Sequence, residues 1–218
     1  MTNVLGDDFS QGKGAKAAPN WKLLGLGSSG QTWTSTPATA FADGIGFAFS
    51  TTPTDTKLFL TTHPGSGLLG DLTGKTLTAT FTITGTATAF TYFKEGKPDN
   101  DGLCAAPAPA SVRLYFEGET NAEKKHQWWS TPQAYTLTSL VGTTLTLTVP
   151  LDTANWSDKV GLVPRPASDV PTDFADAVKK IGAVGVSFGG GCESFAFAGG
   201  VAPTDGTASF VLKSYSVS

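Results

Sequence analysis

The densest chemistry in the sequence lies in five consecutive residues, His126-Gln127-Trp128-Trp129-Ser130. Neighbouring residues on a strand point to opposite faces, so one indole is expected in a core and the other outward. An outward indole gives the C–H face of a sugar ring a flat apolar platform, while polar neighbours take its hydroxyls. Arg113, Tyr115, His126 and Gln127 are the candidate neighbours, and Tyr92-Phe93 repeats the aromatic pairing. The plainer alternative is that Trp128 and Trp129 anchor opposite sides of one buried strand.

Gly6-Asp7-Asp8-Phe9-Ser10 sets two carboxylates beside an aromatic ring. Jelly-roll binding modules often hold a structural Ca2+ between first and last strand with such Asp side chains and backbone carbonyls. Ca2+ takes about six to eight oxygens, which Asp7 and Asp8 alone do not supply, and a solvated turn is the competing reading. Asp99-Asn100-Asp101-Gly102 is a second oxygen-rich loop, but it lacks the distal Glu of a calcium loop and reads as a turn. Cys104 and Cys192 belong to no Cys-x-x-Cys pair, and the 2 His of the chain cannot complete a zinc site with them. They are either free thiols or one disulfide closing a long loop. A composition rich in Thr, Gly, Ala and Pro and poor in Lys and Met points to a secreted or otherwise extracytoplasmic protein, and so toward the disulfide.

Catalytic patterns are thin. Glu117, Glu119 and Glu123 crowd a Gly/Asn-rich turn where solvated carboxylates are expected. A glycosidase needs two carboxyls across a cleft, roughly 5–10 Å apart, and spacing in sequence does not provide that. Ser130 and His126 lie close, but no Gly-x-Ser-x-Gly elbow occurs. Gly189-Gly190-Gly191 follows a strand with neither a Lys nor a helix after it, so it is no phosphate loop.

Positioning these groups requires strands. Thr76 to Thr84 and Thr144 to Val149 alternate Thr with apolar residues, a period of two that puts a Thr row on one sheet face. Such rows suit the wet side of an antiparallel sheet; a flat hydroxyl-and-methyl face of this kind is also what ice-binding surfaces present. Further strands are expected at 87–93, 111–116, 126–130, 134–138, 183–188 and 207–217, with shorter ones at 44–49 and 57–61. One helix is expected over 173–181. Thr172 or Asp173 would cap it, Gly182 would stop it, and Phe174, Ala177, Val178 and Ile181 would share its buried face. Gly 26, Pro 13 and a preponderance of Thr, with only 15% charged residues, exclude a helical protein. A net charge of -3 argues against a nucleic-acid partner, and no apolar run is long enough to span a membrane. At 218 residues the chain fits one all-β domain, 1–218. The expected fold is a jelly-roll β-sandwich of about ten antiparallel strands with one short helix.

In order, several motifs resemble the laminin B (laminin IV type A) domain. They are Leu69-Gly70-Asp71 with Gly74-Lys75-Thr76-Leu77; the aliphatic strand and turn Val112-Arg113-Leu114-Tyr115-Phe116-Glu117-Gly118; Val149-Pro150-Leu151-Asp152 through Trp156 to Gly161; and the helix-then-strand unit from Asp173 to Phe188. The resemblance covers roughly residues 55–217. Ala154-Asn155 stand where that family places an acidic residue before its Trp. It implies an extracellular module with structural or interaction roles, no catalytic residues, and a jelly roll shared with carbohydrate-binding modules. The expectation is therefore a non-catalytic extracellular module recognising a polysaccharide or cell-surface glycan, tethered to or assembled with something larger. A structural or adhesive domain with a protein partner, and a carbohydrate-active hydrolase or lyase, are the alternatives.

Overall fold

The computed structural model describes residues 5–9, 11–26, 33–51, 57–94, 97–98, 110–119, 127–130, 135–158, 170–189 and 200–218, with side chains at all of these but 26, 33, 57, 92–94, 97–98, 158, 170–172 and 200. The first strands are β1 (Leu5–Asp8), β2 (Trp21–Leu26), β3 (Trp33–Pro37), β4 (Thr39–Phe41), β5 (Gly44–Ala48) and β6 (Lys57–Thr61). Then come β7 (Thr76–Gly85), β8 (Phe90–Lys94), β9 (Lys97–Pro98), β10 (Ser111–Gly118), β11 (Gln127–Ser130) and β12 (Tyr135–Thr136). The chain ends with β13 (Thr144–Pro150), β14 (Trp156–Asp158), β15 (Ile181–Gly189), β16 (Gly200–Pro203) and β17 (Ala208–Val217). Helix α1 (Gly14–Ala17) follows β1, and α2 (Val170–Val178) precedes β15.

Two large antiparallel sheets face each other. One runs β13-β7-β17-β5-β4, with β1 also on β17; the other runs β14-β11-β10-β15-β6-β2-β3, with β12 also on β10. A small third sheet is ordered β16-β8-β9. The period-two reading of β7 holds residue by residue: Leu77, Ala79, Phe81 and Ile83 are buried and the Thr between them are not. Aromatic rings close the gap between the two sheets. Phe47 meets Phe188 edge-on at 5.3 Å, Phe188 meets Phe210 at 5.0 Å, and Phe59 meets Phe210 edge-on at 5.6 Å. Such edge-to-face pairs add about 0.5–1.5 kcal/mol each beyond their burial. The architecture is an all-β sandwich.

Two expectations are corrected. The helix spans 170–178 rather than 173–181. It starts early because Pro171 fits a first turn, where a missing N–H leaves no bond unmade. It ends early because Ile181 exchanges both backbone hydrogen bonds with Gly70, each 2.9 Å, and so opens β15. Phe174, Ala177 and Val178 are buried as their spacing required. The strand at 134–138 shrinks to β12 because the next residues, Leu137–Leu140, coil into a 3-10 turn that buries Leu137 and Leu140. Trp21 and Trp156 lie fully buried in β2 and β14.

Candidate functional site

On the outer face of the six-stranded sheet lies a recess of about 270 Å³ lined by Phe41, Ala42, Asp43, Thr82, Thr84, Val211 and Lys213. The β4–β5 hairpin supplies its wall. Phe41 pairs with Gly44 there, while Ile45 and Phe47 of β5 turn into the core. The alternate positions are glycines. A Cβ at Gly44 would come 2.5 Å from the Leu212 carbonyl oxygen, and one at Gly46 would come 1.8 Å from that of Phe210. Their absence lets β5 close onto β17, with Val211 of β17 at the bottom of the recess.

Lys213 comes from an irregularity in β17. Leu212 pairs with Phe81 and Ser214 with Thr80, so Lys213 is the extra residue of a β-bulge. Bulges re-aim side chains in this way. The carbonyl of Lys213 accepts the Phe9 N–H at 2.8 Å, and its ammonium donates to the Asp43 carboxylate at 2.8 Å. That hydrogen bond, with the Lys213 charge behind it, holds the Asp43 carboxyl below its ordinary range. Lys213 is 27% exposed and Asp43 56%, so both heads can reach a ligand. Thr82 donates its hydroxyl to the Thr143 carbonyl at 2.7 Å, which leaves its oxygen to act as an acceptor. An apolar wall and floor thus meet a cation, a carboxylate and two hydroxyls. Few polar groups converging on an apolar recess is the usual make-up of a small-ligand site. A second recess, about 300 Å³, lies beside α2 over Leu151, Phe174 and Val178. Both charged residues that line it are engaged elsewhere: Asp152 accepts from the Ala154 N–H and the Asn155 amide, and Lys179 lies 3.7 Å from Asp176.

The string Gln127-Trp128-Trp129-Ser130 forms β11, and the alternation expected of it is real. Trp128 enters the main core, stacked on Phe116 and edge-on to Phe174 at 5.0 Å. Trp129 lies on the other face with Leu58, Leu60, Tyr115 and Ala183, its ring 5.2 Å from that of Tyr115. The expected exposure is what needs correcting: Trp128 is 0% and Trp129 3% exposed. Both faces of this strand carry apolar clusters, so neither indole offers solvent an open platform.

The structure does gather the neighbours proposed for Trp129. Register sets Tyr115 opposite Trp129 and Glu117 opposite Gln127, and alternation along β10 adds Arg113 to the same face. Arg113 donates to the Ser130 carbonyl at 2.8 Å, and burial pulls its guanidinium down to about 10. Tyr115 donates its hydroxyl to Glu117 at 2.9 Å; burial first, then the Glu117 charge, pushes its phenol well above the ordinary value. Tyr92 pairs with Val201 in the small sheet, with its side chain outside the described residues. His126, Glu123, Cys104, Cys192 and the Asp99–Gly102 loop also fall outside them.

Asp7 and Asp8 lie in β1, which pairs with the last strand, β17. Their carboxylates part company. Asp7 accepts the Trp21 indole N–H at 3.2 Å, and Asp8 pairs with the Lys13 ammonium at 2.8 Å. Two engaged carboxylates on opposite sides of a strand fall short of the about six to eight oxygens of a Ca2+ shell. Among the described residues no group of three or more His, Cys, Asp or Glu is placed to hold a metal ion, and no helix is long and apolar enough to cross a membrane.

Sequence reasoning passed over Phe41, Asp43 and Lys213. One signal was available: Lys213 interrupts the apolar run Phe210-Val211-Leu212, where a strand buried on its inner face has room for a bulge.

No protein-family model matches the chain, and no curated protein matches it in sequence. Among solved structures it is similar to the L4b domain of human laminin alpha-2, at 12% identity over 94% of this chain and 93% of that one, with a TM-score of 0.45.

Proposed function

We propose that the protein is a non-catalytic, extracytoplasmic carbohydrate-binding module, and that it takes one sugar unit of a polysaccharide or cell-surface glycan in the Phe41–Lys213 recess. A pyranose has an apolar C–H face and a rim of hydroxyls that both donate and accept. The observation carrying the reading is that Phe41 and Val211 meet Asp43, Lys213, Thr82 and Thr84 in one recess. The Trp128–Trp129 string is thereby given to packing, with Arg113 and Tyr115 beside Trp129.

Affinity electrophoresis against a panel of soluble polysaccharides, followed by calorimetry on those that retard the protein, tests it. Phe41→Ala and Lys213→Met are each expected to weaken binding by about tenfold or more, about 1.4 kcal/mol, with the melting temperature kept near wild type. Retention unchanged in both variants would refute the recess. A second reading, a structural or adhesive domain docking another protein, is favoured by the order of the laminin-like sequence motifs. Mobility unaltered across the whole panel would favour it instead. Reducing-sugar release that disappears in Glu117→Gln would make the protein a hydrolase.

A further inference from the structure

Resting on the glycan reading of the recess, we infer that the ligand is a neutral, linear polysaccharide that continues from the recess along β7, across the hydroxyl rows of the six-stranded sheet. The rows are built by register. Thr78 stands between Thr148 and Ser216, and Thr80 between Thr146 and Ser214; Thr82, next along β7, lines the recess. None of the Thr in these rungs is buried, so the face is open. Alternate residues along a strand repeat at about 6.7 Å and neighbouring strands at about 4.8 Å. From Thr84 to Thr76 the surface therefore runs for about 27 Å, room for several sugar units in line.

Three properties of this face select the ligand. Its side chains are short, so a linear chain can lie flat where a branched one would be lifted off. Its hydroxyls are already ordered by one another: Thr78 bonds Thr148 at 3.3 Å and Thr80 bonds Thr146 at 3.0 Å. Groups ordered before binding lose little freedom when a ligand arrives. Its charge is balanced, because the rungs are neutral and Lys213 is neutralised by Asp43 at the recess. Among the described residues of the rungs and the recess, an acidic glycan would find no uncompensated cation. A protein partner is a poorer match, since interface cores are enriched in aromatics and Arg and depleted in Ser.

The test is calorimetric titration with a length series, from disaccharide to octasaccharide, of neutral glucan, xylan and mannan fragments, and with carboxymethylated glucan as the acidic probe. For one neutral series the affinity is expected to rise about tenfold or more from the shortest to the longest member, as successive subsites engage. The double variant Thr80→Arg/Thr146→Arg places bulky cations on exposed rungs; it is expected to abolish that gain and leave disaccharide affinity as in wild type. Equal affinity for short and long members, a gain that survives the double variant, or stronger binding of the acidic probe overturns the inference while the recess stands. Binding weakened about tenfold or more in Phe41→Ala, alongside a length-dependent wild type, supports both. Absence of binding by every fragment overturns both, as does thermal hysteresis that Thr80→Arg removes without any sugar binding, which would assign the face to ice.

Discussion

A strand residue can bury its ring only where its own face is covered, and Trp128 and Trp129 are covered on opposite faces. Trp128 belongs to the core between the two large sheets, Trp129 to the separate cluster around Tyr115. Truncation of either to Ala is expected to cost about 3–5 kcal/mol in urea unfolding. Trp128 differs in one respect: its indole N–H has no hydrogen-bond partner among the described residues. An unmade buried bond costs about 1–3 kcal/mol, so Trp128→Phe loses volume but also sheds that penalty and is expected to cost well under half of Trp128→Ala. A Trp129→Ala variant as stable as wild type would show that ring to be free for a ligand after all.

At the scale of the element, β7 holds both aspects of the protein in one strand. Phe81 is fully buried, packs on Phe210 at 5.2 Å and serves only the core. Thr80, its neighbour, serves only the outer face. Phe81→Ala is expected to cost about 3–5 kcal/mol, and Thr80→Val to change stability by no more than about 0.5 kcal/mol; comparable unfolding midpoints for the two would contradict the assignment of faces. This division was legible in the sequence, because side chains alternate with a period of two whatever the strand packs against. The bulge at Lys213 was not, since an extra residue in β17 is defined only by the register of Leu212 and Ser214 against β7.

At the scale of the molecule, the first strand closes on the last: β1 pairs with β17 from Leu5–Val217 to Asp8–Ser214. That closure rests on backbone bonds and on Asp7 receiving the Trp21 indole, without the carboxylates converging on a common point. A bound ion present at about 100 times its dissociation constant would stabilise the fold by about 2.7 kcal/mol. With this donor set, a chelator is expected to leave the melting temperature unchanged. A drop that Ca2+ reverses would establish a staple between the termini and restore Asp7 and Asp8 to a metal site.

The sequence by itself determined the class of structure, most of the strands and the Thr rows, because each follows from local alternation and from Gly and Pro at turns. Trp128 and Trp129 were rightly placed on opposite faces for the same reason. Whether a face is covered is a different question, settled by which layer arrives on it from elsewhere in the chain, and here both faces of β11 are packed. The helix limits shifted on the same ground, through the pairing of Ile181 with Gly70. The recess lies furthest from local reach: Phe41 and Asp43 on a hairpin, Thr82 and Thr84 on β7, and Val211 and Lys213 on β17 meet only when three strands pair in register. No spacing within one segment encodes that meeting, because its cause is long-range strand pairing and the close approach that Gly44 and Gly46 permit.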